Sequence, residues 1–92
     1  MVTAILLLTT KRDQVNDVAE ALVDLDGVGE VHSVAGRYDL VAILRTSTNE
    51  QLAALVTEHI RQIEGITSSE TLIGFRVFSQ HDLERLFAVG ME

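Results

Sequence analysis

Four consecutive residues, Gly36-Arg37-Tyr38-Asp39, carry the densest chemistry in the chain. A glycine lets a ligand approach the backbone, a guanidinium forks a carboxylate, a phenol offers a hydroxyl and a stacking face, and an aspartate holds an ammonium. Together these are the groups that recognition of a free α-amino acid needs. Gly, Tyr and Asp also suit a chain reversal for backbone reasons alone, so the segment has a turn reading beside the binding one. Further along, hydroxyls gather at Thr67-Ser68-Ser69 and Thr71, around Glu70. In an extended segment Ser69 and Thr71 share one face while Ser68 and Glu70 share the other, so Ser69 and Thr71 are weaker candidates for ligand contact. The plain alternative is an edge strand kept soluble by polar side chains. A nucleophile needs an adjacent base and an orienting acid, and none is signalled near these hydroxyls.

Other chemistries fare worse. His32, His59 and His81 stand in three different elements without paired spacing, which argues against a metal site; His59 reads as a helix-flank residue and His32 as an outward strand residue. The absence of cysteine removes disulfides, thiolate metal sites and cysteine nucleophiles together, and fits a reducing cytoplasm. Gly27-Val28-Gly29 precedes a strand, whereas phosphate cradling needs glycines that lead into a helix N-terminus. No cofactor is expected. With 7 basic against 14 acidic residues, a net charge of -7 repels phosphate, so direct nucleic-acid binding is not expected. The N-terminal run Val2–Leu8 is too short to span a bilayer and lacks the basic flank of a signal peptide, so a core strand is expected there and no membrane contact.

Ninety-two residues, 47% of them apolar, make one packed domain rather than two or a disordered chain. Residues 1–79 are expected to form the domain and 80–92 a short amphipathic extension bearing Leu83, Leu86 and Phe87. The continuous apolar run Val2 to Thr9 predicts a strand buried on both faces. From Asp13 the period becomes helical through Val15, Val18, Ala19, Leu22 and Leu25, and Gly27 stops it. Strands follow in the run of Val28, Val31 and Val34 that ends at Gly36 and in Leu40 to Leu44, joined tightly at Gly36–Asp39 and therefore antiparallel. Ser47-Thr48-Asn49-Glu50 opens a second helix with the stripe Leu52, Leu55, Val56, Ile60 and Ile63, which Gly65 ends. Ile66 to Ser79 reads as a long last strand.

The chain also matches itself at an offset of 38 residues: Ala4-Ile5-Leu6 falls on Ala42-Ile43-Leu44, Gly27 on Gly65, Val18 on Val56, and Gly36 on Gly74. Two successive βαβ units with right-handed crossovers give an α+β, ferredoxin-like βαββαβ sandwich, a four-stranded antiparallel sheet with both helices on one face. The apolar runs then supply side chains to a second, helix-free face. A bare apolar face is uncommon on a soluble monomer, so a dimer packed sheet to sheet is expected; the rival cover is the segment bearing Leu83, Leu86 and Phe87.

Gly27-Val28 leading into Val34-Ala35-Gly36-Arg37-Tyr38-Asp39-Leu40, then Glu64-Gly65-Ile66 followed by Ser69-Glu70-Thr71-Leu72-Ile73, are the residues of a recognisable pattern. On them the chain resembles the C-terminal effector-binding domain of the Lrp/AsnC family of feast/famine transcription regulators. In that family a Gly-x-Tyr-Asp turn joins the middle strands and a Gly-Val-x-x-x-x-Thr pattern opens the last one. The resemblance implies a ferredoxin-like sandwich that dimerises through its sheets, assembles into rings of dimers, and binds small effectors, mostly amino acids, between subunits near Gly36–Asp39. The family's regulators carry an N-terminal helix-turn-helix domain, whereas this sequence begins at the first strand, so a stand-alone form is expected. Such a form would act through its own assembly or by mixing with full-length regulators.

The reading that follows is a cytoplasmic, non-enzymatic amino-acid-sensing and oligomerisation module. The alternatives are a small dimeric enzyme of monooxygenase or isomerase type, and a purely structural oligomerisation module. The enzyme reading is disfavoured because such clefts place a His, Asp or Asn with Trp or Tyr inside the sheet, and this chain has no Trp and a single Tyr.

Overall fold

In a computed structural model that describes residues 1–78, the elements follow the expected order. They are β1 (Val2–Thr10), α1 (Val15–Val23), β2 (Val28–Ser33), β3 (Leu40–Thr46), α2 (Asn49–Ala54) and β4 (Ile66–Gly74). The C-terminal extension and His81 lie outside the described residues. The sheet order is β2-β3-β1-β4, every pair antiparallel, with α1 packed mainly on β2 and α2 on β3. This is the ferredoxin-like arrangement.

Alternation along the two central strands sets the core. Ala4, Leu6 and Leu8 of β1 and Leu40, Ala42 and Leu44 of β3 face the helices and are buried with Val18, Leu22, Leu52, Leu55 and Ile60. The intervening Ile5, Leu7, Val41 and Ile43 occupy the helix-free face, where Ile5 is 37% exposed. The strand expected to be buried on both faces is therefore buried on one within a single chain, because both helices lie on the same side.

The repeat is visible in the backbone. Ile5 pairs directly with Ile43, its own counterpart at the 38-residue offset, so the halves meet at the middle of the sheet. Gly27 and Gly65 both turn with positive φ, 97° and 99°, and a Cβ at either would press on the other half's helix, against Leu55 and Val18 respectively. Both glycines close the turn after a helix, as the spacing predicts.

The second helix departs from regularity. Thr48 caps it, its hydroxyl accepting the Gln51 amide at 3.1 Å while the Gln51 side chain accepts the Ser47 amide at 2.9 Å. After Ala54 the rod continues as a π turn (Leu55–His59) and a 3-10 turn (Ile60–Gln62), with the Ile60 amide directed at the Leu55 carbonyl five residues back. The buried side chains explain the extra residue: Leu55 and Ile60 are five apart, and a regular helix would bring His59 to the core in place of Ile60.

Two boundaries differ from expectation. The β2–β3 connection spans residues 34–39 rather than a tight turn, closed by the Val34 amide donating to the Asp39 carbonyl at 3.0 Å. The last strand ends at Gly74, not Ser79. Gly74 pairs with Thr3 in the last rung of the β1–β4 ladder. Phe75, Val77 and Phe78 follow as exposed residues.

Candidate functional site

The 34–39 loop leaves the sheet at the end of β1 and is held there by Asp39. Its amide donates to the Leu8 carbonyl at 2.8 Å, and its carboxylate Oδ2 accepts the Thr10 amide at 2.8 Å. The aspartate thus serves as a clasp between loop and β1, a role invisible in the sequence because 29 residues separate the partners. Oδ2 alone is engaged in this clasp. Gly36 sits at the exposed tip with φ 129°, and a Cβ there would meet nothing within 4 Å, so its value is conformational.

Tyr38 reaches across to β4. Its hydroxyl donates to Glu70 Oε2 at 2.7 Å, and that hydrogen bond, followed by desolvation and the Glu70 charge, raises the phenol above its usual pKa, with the Arg37 charge opposing. The Arg37 guanidinium lies 5.9 Å from the ring centroid, at the outer range of a cation–π contact, and Arg37 itself is exposed. Beside this pair, Thr9 shares hydrogen bonds with Thr67 at 2.7 Å and Ser68 at 2.5 Å, where a bulge shifts the β1–β4 register. Residue spacing singled out the hydroxyls of β4 but gave no sign that Thr9 joins them; only the strand register does.

The structure brings Gly36, Arg37, Tyr38 and Asp39 together at one end of the sheet and adds Glu70 to them. Ser69 and Thr71 fall elsewhere. They pair with Leu8 and Leu6, hence face the helix side, while Glu70 pairs with Leu7 on the helix-free side. The expected alternation along this strand is as drawn from the sequence, but it separates the two hydroxyls from the loop's Tyr38. Of the histidines, His32 is exposed in β2 with Nε2 3.3 Å from Glu30 Oε1, and His59 is exposed at the end of the π turn. Among the described residues no group of three or more His, Cys, Asp or Glu side chains is placed to hold a metal ion, and no helix is long and apolar enough to cross a membrane.

The family model for the Lrp/AsnC ligand binding domain matches residues 3–83. The chain belongs to the Lrp/AsnC ligand-binding domain family. An HTH-type transcriptional regulator of Pyrococcus horikoshii, itself uncharacterized, is 37% identical over 59 residues, 64% of this chain and 39% of the regulator. The chain therefore spans well under half the length of the curated relatives it matches. TTHA0845 from Thermus thermophilus is 40% identical with a TM-score of 0.81, over 87% of this chain and 100% of that one. The transcriptional regulator NMB0573 of Neisseria meningitidis, solved as an L-Met complex, has a TM-score of 0.77 over 86% of this chain and 53% of its own; at 11% identity the likeness is one of fold. For a member of the Lrp/AsnC ligand-binding domain family, the βαββαβ sandwich stands as the resemblance implied.

Proposed function

We propose that this Lrp/AsnC-type domain is a cytoplasmic, non-enzymatic effector-binding module that recognises an amino acid at the 34–39 loop and converts binding into a change of assembly. The observation that carries the reading is the family match across nearly the whole described chain. The curated relatives are HTH-type transcriptional regulators, and a regulator of the same fold forms a complex with L-Met.

The chemistry of the loop supports the same reading. Gly36 opens the backbone at the tip, Arg37 is exposed to steer a carboxylate, and Tyr38 is fixed by Glu70 to present its ring. Asp39 keeps Oδ1 outside its clasp with Thr10 and supplies it to the ammonium. Ile5, Leu7, Val41, Ile43 and Leu72 form one apolar patch on the helix-free face, with Leu72 45% exposed. A second copy packed on this patch makes the dimer, and further dimers complete a ring around the loop sites. Binding at a subunit contact shifts assembly by its differential affinity for the two states, and mixing with full-length regulators through the same face carries the signal to transcription.

A thermal-shift titration against the twenty amino acids tests this. A few chemically related amino acids should raise the melting temperature with concentration, by the equivalent of about 2.7 kcal/mol at a hundredfold excess over Kd. No rise with any of them at millimolar concentration refutes amino-acid sensing.

A further inference from the structure

Among the described residues, nothing covers the helix-side face of β4. Ser69, Thr71 and Ile73 stand opposite the fully buried Leu8, Leu6 and Ala4, yet Ser69 is exposed, Thr71 half-buried and Ile73 57% exposed. The sheet continues one strand beyond the reach of α2, and a groove runs between them. Its wider part, about 590 Å³, is walled by Leu52, Val56, Ile73 and Phe75 with Thr71 on the floor. An adjoining recess of about 230 Å³ holds Arg61 and Ser69, and Val56 walls both parts. Arg61 follows the π turn in the rod, next to the buried Ile60, and makes no ion pair among the described residues.

This is an apolar slot that leads to one guanidinium, Arg61, and the hydroxyls of Thr67, Ser68 and Ser69, the layout of a site for an amphipathic anion. Its length excludes the smallest ligands: the four steps from Ser69 to Ile73 cover roughly 13 Å of strand, more than a free amino acid fills. Its charge selects a monoanion, since a single guanidinium in a chain of net charge -7 does not balance a phosphate ester or a dicarboxylate.

We propose that the α2–β4 groove binds a medium-chain monocarboxylate, its carboxylate on Arg61 and Ser69 and its aliphatic tail between Val56, Leu52, Ile73 and Phe75. The groove lies on the opposite face of β4 from Glu70 and the Tyr38 contact, so this site and its ligand are independent of the amino-acid reading of the loop. It also gives Ser69 and Thr71 a ligand of their own.

Calorimetric titration of the full chain with octanoate and with octanamide tests it, since the amide keeps the tail and drops the charge. Octanoate should bind saturably and octanamide roughly tenfold or more weakly, the worth of a charge-assisted contact. Arg61→Gln, an exposed position, should erase the difference between the two compounds, and Ile73→Ser should weaken both. Asp39→Asn should leave octanoate affinity unchanged. Equal affinity for acid and amide, no saturable heat at millimolar octanoate, or an apparent Kd that rises with protein concentration, the mark of a second copy competing for the groove, would each overturn the proposal.

Discussion

Replacing Asp39 separates its structural role from its proposed binding role. In the folded chain its Oδ2 accepts the Thr10 amide at 2.8 Å in a half-buried setting, and Asp39→Ala leaves that N–H without its acceptor. A hydrogen bond to a charged group is worth about 1.5–3 kcal/mol. In a domain of this size each kcal/mol moves the melting temperature by roughly 4–8 °C. The alanine variant should therefore melt at least about 6 °C below the parent, from the lower bounds of both ranges. Asp39→Asn keeps a carbonyl oxygen for Thr10 while removing the charge, and neutral hydrogen bonds are roughly half as strong, so about half that loss is expected. The asparagine variant, still folded, should lose the amino-acid-dependent rise in melting temperature, because its amide offers the ammonium no charge. Scanning calorimetry of both variants with and without the active amino acid reads each effect. An alanine variant that melts with the parent would show that the clasp stabilises nothing. An asparagine variant with the full ligand-induced rise would show that the ammonium is held elsewhere.

Three further outcomes are expected. The Tyr38 phenol, raised above its usual value by Glu70, favours its neutral form in the folded state. The linked stability is thus fully present below about pH 10 and lost as pH rises through the folded-state value. Glu70→Ala, which removes the acceptor, should shift the phenolate absorbance midpoint downward, and an unchanged midpoint would dismiss the hydrogen bond as its cause. Gly65→Ala should destabilise more than Gly36→Ala in urea titration, since both carry positive φ but only Gly65 would drive a Cβ against Gln14 and Val18. The left-handed backbone alone costs about 1–2 kcal/mol, and equal losses at the two positions would mean that the crowding is relieved without cost. On the helix-free face, Ile5→Lys should break the proposed dimer and yield a folded monomer by light scattering; a variant that associates like the parent would place the interface elsewhere.

What the sequence disclosed is what local periodicity and glycine placement control. Two unbroken apolar runs give β1 and β3, and the helix-ending glycines sit where positive φ is required. The 38-residue offset led to the topology because a repeated βαβ unit has few ways to share one sheet. The site was legible only in part. Gly36 through Asp39 stood out by residue type, but the functions of Tyr38 and Asp39 depend on partners 32 and 29 residues away, Glu70 and Thr10, which register brings into range. The π turn was hidden because Leu52, Leu55, Val56 and Ile60 fit a regular helical stripe loosely enough that one extra residue leaves no mark. The early end of β4 was hidden for another reason: Phe75, Val77 and Phe78 have strand-like composition, but strand extent is fixed by pairing with β1, whose ladder to β4 closes at Gly74 opposite Thr3.

The repeat also explains where chemistry collects in this fold. The two halves are equivalent where they build the core: Ile5 faces Ile43, Leu22 and Ile60 are both buried, and Gly27 and Gly65 turn alike. They diverge at two places. Gly36 opens a loop that returns to the sheet through Asp39, whereas its counterpart Gly74 ends the last strand and leads away from it. α1 is a regular helix, whereas α2 runs on into a π turn and, among the described residues, leaves the far strand uncovered. Core positions are held by packing that any change disturbs, so the symmetric part has little freedom to acquire a ligand. Both proposed sites, the 34–39 loop and the α2–β4 groove, lie where the second half fails to repeat the first. The symmetric alternatives, the α1 side of β2 and the turns at Gly27 and Gly65, should then tolerate conservative surface substitution with no effect on either ligand. A surface change such as Glu20→Gln on α1 that abolished octanoate or amino-acid binding would break this division between scaffold and site.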